Sequence, residues 1–264
     1  MSKSFRIGTG IVALVLFSCA LWSLRVFRPS EPIYKGRPLS FWARGYHSFS
    51  PPLGPREAEE AVRHAGTNAI PCLLRMIRAH DSRLKLMVIR LAQKQHFVKI
   101  NNVSAWEWNW NGAFGFGTLA ADAKDAVPAL IAIYNEDISE SSQGAAAIAL
   151  DGMGPAAKQA IPSLLQGLAK TTGAARGNTL VAIATIDPDS KVTIATLMKC
   201  LHEPDAKVRW CAVASIGQLS GRAATQAVLA VSELLHDPDK SVREIAESTL
   251  QRIDRNALTN ARPQ

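Results

Sequence analysis

Residues 201–209 read Leu-His-Glu-Pro-Asp-Ala-Lys-Val-Arg, and residues 235–243 read Leu-His-Asp-Pro-Asp-Lys-Ser-Val-Arg, 34 positions further on. In each copy the leucine ends an apolar helix, the Pro-Asp pair predicts a tight turn, and the aspartate can cap the next helix. Apolar residues then recur at helical spacing, which predicts a second helix. These residues are Val208, Ala212, Ile216 and Leu219 in one copy and Val242, Ala246, Leu250 and Ile253 in the other. The two segments therefore predict two copies of one helix–turn–helix unit.

Similar segments occur earlier in the chain at the same spacing. Four helix starts are spaced by 33 or 34 residues, at 126–131, 160–165, 194–198 and 228–232. The first two carry a proline in the first turn of the predicted helix, where a missing N–H costs little. Gly154, between them, suits the C′ position of the preceding helix. A repeat period of 20 to 50 residues predicts a stacked array, in which each helix pair buries its apolar face against its neighbours.

These motifs resemble the HEAT repeat family, in the short bacterial form related to phycobilin-lyase-like repeats. The resemblance rests on the Ala-Val/Ile-Pro-x-Leu helix starts, the Asp-Pro-Asp-x-x-Val-Arg turns and the small residues of the second helices, and it covers about residues 57–256. It implies an all-α, HEAT-like α-solenoid, a right-handed superhelix of about five helix pairs. It implies little about function, because one fold hosts many unrelated roles.

The N-terminus predicts a membrane segment. Residues 7–24 form an uncharged apolar run of 18 residues, flanked by basic residues on both sides, and Trp22 lies near its end. This length is at the lower limit for crossing a bilayer, and tryptophan is common at the membrane interface. We expect residues 1–27 to be an uncleaved signal anchor; a cleaved signal peptide and a lipoprotein signal at Cys19 are the alternatives. The expected location is the bacterial inner membrane, single-pass, with the repeats outside the cytoplasm.

Residues 28–56 are rich in proline and predict a linker followed by an N-terminal cap. Phe41, Trp42 and Tyr46 are too apolar for a free tether. We expect them to cover the open end of the first repeat, because a terminal repeat otherwise exposes its core. The domain prediction is completed by the array at 57–256 and a flexible tail at 257–264.

Charge is unevenly distributed along the chain, although the net charge is +8. Residues 1–66 carry +5 and residues 67–126 carry +4, whereas residues 127–264, with thirteen basic and fourteen acidic residues, carry −1. Nucleic-acid binding by an array of this kind needs a basic stripe sustained along its length. The sequence therefore makes a nucleic-acid-binding role unlikely, and we expect a monomer with a protein partner.

The unusual stretch of the chain is 101–117, where five Trp and Phe residues fall between positions 106 and 116. Three tryptophans at every second position are typical of a strand, but alignment with the next repeat favours a helix. Aromatic rings with adjacent Asn and Gly residues suggest a surface that binds a partner by stacking and hydrogen bonding. The candidate residues are Trp106, Trp108, Trp110 and Phe114. Trp108 is expected to be the most exposed, and packing against an insert helix around residues 84–91 is the alternative.

Other kinds of functional site are weakly indicated. The sequence contains no Ser/His/Asp set, glycine-rich phosphate loop or paired-carboxylate motif, and its histidines lack ligand spacing, so we expect no catalytic centre, cofactor or metal. Cys72, Cys200 and Cys211 lie on predicted helix faces. They are expected to be buried free thiols, with a Cys200–Cys211 disulfide as the alternative in an exported domain.

The function predicted from the sequence is a membrane-tethered, non-catalytic HEAT-repeat scaffold whose concave face binds a protein. The rival hypothesis is an enzyme or accessory factor of the lyase-like branch, acting on a chromophore or another small ligand. An apolar pocket walled by Trp106, Trp108 and Trp110, with Glu107 nearby, would favour the rival. A filled helix stack without such a pocket would favour the scaffold.

Overall fold

The computed structural model describes residues 31–48, 52–83, 85–87, 89, 103–219 and 221–260, without the side chains of 221–226 and 254–260. The predicted membrane segment at 7–24 lies outside these residues, as does most of the predicted insert helix. Within the described ranges, no helix combines the length and the apolar character needed to cross a membrane.

The array consists of helix pairs, as the repeat pattern predicts, and the described residues contain five of them. The first helices are α3 (Ile70–Ile77), α5 (Val127–Asn135), α7 (Ile161–Leu168), α9 (Lys191–Cys200) and α11 (Gly221–Glu233). The second helices are α4 (Ala105–Leu119), α6 (Glu140–Met153), α8 (Gly173–Ile186), α10 (Ala206–Ile216) and α12 (Lys240–Asn260). Short 3₁₀ turns at 66–69, 120–126 and 154–160 precede α3, α5 and α7.

The ends of the helices follow the local signals in the sequence. Gly154 ends α6 with φ = +57°, which confirms the predicted C-terminal glycine. Pro128 and Pro162 lie in the first turns of α5 and α7. Asp205 caps α10 by accepting a hydrogen bond from the Lys207 amide at 2.8 Å. Because each boundary depends on nearby residues, the sequence alone was sufficient to predict it.

The second helices pack against one another along the array, α4 on α6, α6 on α8, α8 on α10 and α10 on α12. This packing is more extensive than that between successive first helices, so we assign the second helices to the concave side. Gly117 and Gly152 show how close two of them come, because a Cβ on Gly152 would lie 2.6 Å from the Gly117 Cα. The predicted stripe in α10 is buried, with Ile216 only 1% exposed.

The segment before the array has regular structure instead of being a free linker. Strands β1 (Ile33–Tyr34) and β2 (Arg37–Pro38) form an antiparallel hairpin, and helix α1 (Leu39–Ala43) follows directly. A 3₁₀ turn at 44–47 then leads towards α2 (Pro55–Ala65). Both α1 and the 3₁₀ turn pack on α2, and α2 packs on α4. These elements therefore lie at the N-terminal end of the stacked second helices.

The side chains of the predicted N-terminal cap lie within this segment. Trp42 is buried, and its indole N–H donates to the carbonyl of Tyr34 at 2.7 Å. Phe41 and Tyr46 are half-buried and pack against the core. Burial raises the pKa of Tyr46 to about 12.

Arginines at equivalent positions of three second helices connect successive pairs. Arg176 binds Glu203 at 2.6 Å, and Arg209 forms two bonds of 2.8 Å with the Asp237 carboxylate. Arg209 also donates to the backbone carbonyls of Glu203 and Pro204. One repeat later, Arg243 donates to the backbone carbonyls at 237 and 238 in the same way. The conserved spacing of the Val-Arg motif thus corresponds to one recurring bond pattern.

The three cysteines among the described residues are free thiols. Cys72 and Cys200 are buried, and Cys211 is half-buried. Burial raises the pKa of Cys72 to about 12 and that of Cys211 to about 11, and it also raises that of Cys200. These thiols are therefore protonated at neutral pH and unreactive. The alternative of a Cys200–Cys211 disulfide does not hold in this structure.

Candidate functional site

The tryptophan-rich stretch is helical, as the repeat alignment predicts. Ser104 caps α4 by accepting a hydrogen bond from the Glu107 amide at 3.1 Å. A helix turns about 100° per residue, so residues four apart share a side whereas residues two apart do not. Trp106 and Trp110 therefore lie on one side of α4, and Trp108 faces elsewhere.

The polar and small residues of this stretch belong to the core. Asn109 is fully buried, and its amide nitrogen donates to the carbonyls of Met76, Ile77 and Ala79 at 2.7–3.1 Å. It thereby satisfies the C-terminal carbonyls of α3, which have no partner within their own helix. Gly115 is equally constrained, because a Cβ there would lie 2.5 Å from the Leu73 side chain. The hypothesis that Asn109 and Gly115 offer hydrogen bonds or space to a partner is therefore wrong.

Trp108 is not the most exposed of the three tryptophans, so that prediction is wrong. Trp108 is half-buried and packs against the core, whereas 51% of Trp106 is exposed. The sequence prediction placed Trp106 on the same stripe as Phe116. In the structure, Phe116 faces α3 and the core, while Trp106 belongs to a stripe that continues through Trp110 and Phe114.

We call the surface formed by His47, Trp106, Trp110 and Phe114 the aromatic face. Ring centroids are 5.7 Å apart for the Trp106–Trp110 pair and 5.9 Å for Trp110–Phe114, with interplanar angles of 44° and 39°. His47 comes from the 3₁₀ turn before α2 and lies 5.3–6.3 Å from all three rings. The face is part of the concave side at the N-terminal end of the array.

His47 is held by a second contact beneath the aromatic face. Its Nδ1 atom lies 3.0 Å from the Oδ1 atom of Asn111, which is fully buried. Sequence analysis did not select His47 because it is far from α4 in the chain and has no neighbouring motif. Tyr46, next to it, forms a hydrogen bond with Thr118 and a ring contact with Phe114.

The three tryptophans do not surround a common pocket. Trp108 lines a cleft of about 340 Å³ together with Glu31, Arg75 and Met76, away from the aromatic face. A second groove, of about 500 Å³, lies between the starts of α8, α10 and α12, where Trp210 is 40% exposed. Sequence analysis did not single out Trp210. The described residues thus lack the three-tryptophan pocket that would have favoured the rival hypothesis.

The His202-Glu203 pair has a structural explanation. The carboxylate of Glu203 is bound by Arg176, and the pair lies in the turn that leads to α10. Across the described residues, there is no group of three or more His, Cys, Asp or Glu side chains placed to hold a metal ion.

Comparison with protein families identifies the repeats. Residues 161–251, which comprise α7 to α11 and the first half of α12, match the family model for HEAT repeats. These residues are HEAT repeats. The match confirms the family predicted from the turn motifs, and the same helix-pair architecture continues from residue 161 back to α3. No curated protein matches the chain. The family model lies outside the aromatic face, so the HEAT match concerns the scaffold and not this surface.

Proposed function

We propose that the protein is a membrane-tethered, non-catalytic HEAT-repeat scaffold that binds a protein partner through its aromatic face. HEAT repeats provide a helical scaffold of the kind that commonly supports protein interaction. The observation that carries the proposal is the exposed stripe of Trp106, Trp110 and Phe114 on the concave side. Exposed clusters of large apolar residues mark interaction sites, and tryptophan is enriched where binding energy concentrates.

Small-ligand chemistry is the second candidate function, and the groove beside Trp210 is the observation that favours it. Its volume of about 500 Å³ is within the range of ligand pockets. The thiol of Cys211, which lines the groove, has a pKa raised by burial to about 11, so it is not an activated nucleophile. We therefore place the protein-binding scaffold first.

Partner capture by the aromatic face is testable with a photoreactive amino acid. Benzoylphenylalanine at Phe114 is expected to cross-link the partner in cells, because this substitution keeps an aromatic ring on the concave side. The matched control is the same amino acid at Leu229, a first-helix side chain that is 81% exposed. Cross-linked products are identified by mass spectrometry.

Alanine at Trp106 should reduce cross-linking from Phe114 at least about tenfold while changing the free energy of unfolding by less than about 1 kcal/mol. Alanine at Trp108 should leave cross-linking intact and cost more stability, because Trp108 packs on the core. The proposal fails if position 229 captures the same proteins as position 114, or if Trp106→Ala leaves capture unchanged.

The tether at residues 7–24 is proposed on the sequence alone. Full-length protein is expected in the membrane fraction, with the array outside the cytoplasm of a bacterial cell, and removal of residues 1–27 should move it to the soluble fraction. The apolar run accounts for this expectation, since about 20 apolar residues span a bilayer. Carbonate extraction followed by immunoblotting measures the shift, and full-length protein in the aqueous fraction would contradict the tether.

A further inference from the structure

Asn111 is an unusual residue to find beneath the aromatic face. It is fully buried, and its Nδ2 atom has no hydrogen-bond partner among the residues that the structure describes. Its side chain bonds only to His47, through Oδ1. A buried polar group with an unsatisfied donor destabilises the fold relative to an apolar side chain. Its evident effect is therefore on His47, whose ring it orients.

The bond to Asn111 determines which nitrogen of His47 can accept a hydrogen bond. An amide oxygen only accepts, so Nδ1 of His47 carries the hydrogen. In the neutral imidazole, Nε2 then holds a free lone pair, and it lies on the side of the ring away from Asn111. His47 is exposed, with its ring among those of Trp106, Trp110 and Phe114. The aromatic face thus contains one oriented acceptor.

A carboxylate accompanies this acceptor. Glu107 precedes Trp110 by three residues and Asn111 by four, so it shares their side of α4. It is half-buried, and no cation pairs with it within the described part of the chain. The faces of aromatic rings are also electronegative. Rings, acceptor and carboxylate are together complementary to a positive charge.

We propose that the aromatic face is the receptor for an arginine side chain of the partner protein. This inference rests on the function proposed above and names the chemistry of the bound segment. A guanidinium group is planar, weakly hydrated and always charged, so it stacks on tryptophan faces more favourably than an ammonium group does. Its five N–H donors bind the Glu107 carboxylate and Nε2 of His47 while the plane stacks on Trp110.

The test is a titration of the full-length, ¹⁵N-labelled chain with Nα-acetyl-arginine amide, followed through the indole N–H resonances. Nα-acetyl-citrulline amide is the matched control, because it has the same length and a planar end group but no charge. The Trp106 and Trp110 resonances, assigned with Trp106→Phe and Trp110→Phe variants, should shift saturably with a Kd on the order of millimolar. Citrulline should bind at least about tenfold more weakly.

Two variants test the roles of the polar groups. Glu107→Gln keeps the residue type that suits the third position of a capped helix but removes the charge, so it should weaken arginine binding at least about threefold without changing the melting temperature. Asn111→Leu should also weaken binding, although it removes the unsatisfied amide and preserves or raises the melting temperature. The Trp210 indole is an internal reference and should not respond.

Three results would overturn the inference: no saturable shift at Trp106 and Trp110, equal binding of citrulline and arginine, or an equal response at Trp210. Cross-linking of a partner from position 114 together with any of these results would leave the proposed function standing and reject only the arginine chemistry. Conversely, saturable arginine binding without any cross-linked partner would reject the proposed function alone.

Discussion

Replacing Ile216 with aspartate is expected to lower the free energy of unfolding by about 4 kcal/mol or more at neutral pH. Ile216 is 1% exposed in the contact between α10 and its neighbours, and the change places an unpaired carboxylate in that core. Burial raises the pKa of the introduced carboxyl in the folded state, so the destabilisation should shrink as the pH falls towards the ordinary aspartate value of about 3.9. Urea denaturation followed by circular dichroism at pH 7 and pH 4 measures both effects.

The matched control is Leu229→Asp, the same chemical change at a side chain that is 81% exposed in the adjacent first helix. It should change stability by no more than about 0.5 kcal/mol. Leu250→Asp should have an intermediate effect because Leu250 is only half-buried, whereas the sequence placed it on the same stripe as fully buried residues. Equal effects at positions 216 and 229 would contradict the assignment of the core.

Replacing Arg209 with alanine is expected to cost about 3–5 kcal/mol. The change leaves the buried Asp237 carboxylate without its cation and removes the bonds to the carbonyls of Glu203 and Pro204. Arg243→Ala is the matched control: Arg243 makes the same two kinds of carbonyl bond, and no carboxylate pairs with it in the described residues. Thermal and urea denaturation of both variants should show a clearly larger loss at position 209.

Acid provides an independent check of this ion pair. Hydrogen bonds from Arg209 hold the pKa of Asp237 below its ordinary value. A carboxyl with a lowered pKa stabilises the fold fully above its ordinary pKa, and this contribution is lost as the pH falls through the lowered value. The difference in stability between wild type and Arg209→Ala should therefore be full at pH 7 and should decrease below about pH 3. A difference that does not change with pH would mean that the pair contributes little.

Most of the repeat architecture could be predicted from the sequence because its signals are local. The Pro-Asp turns, the proline in the first turns of α5 and α7, and Gly154 each act within a few residues of the helix end that they define. The buried stripe in α10 follows from the spacing of apolar residues. The segment at 33–47 was less predictable, since its hairpin and short helix carry no periodic signal long enough to read.

The candidate site was only partly predictable. Its location in the tryptophan-rich stretch followed from composition, but the side of α4 that holds each residue did not. Apolar periodicity distinguishes a buried stripe from a polar one, and it fails when large apolar residues occupy both the buried and the exposed sides. Trp106 and Phe116 illustrate this failure, since one is 51% exposed and the other is fully buried.

By itself, the sequence determined that the chain contains helical repeats, where most helices begin and end, and which residues form the stripe of α10. Only the tertiary structure decided that Asn109 binds the end of α3, that Asn111 holds His47, and that His47 joins the rings of α4. The physical reason is the distance along the chain between the interacting parts. A helix end depends on neighbours within one turn, whereas the orientation of α4 depends on contacts with α2, α3 and α6, which are brought to it only by the stacking of the array.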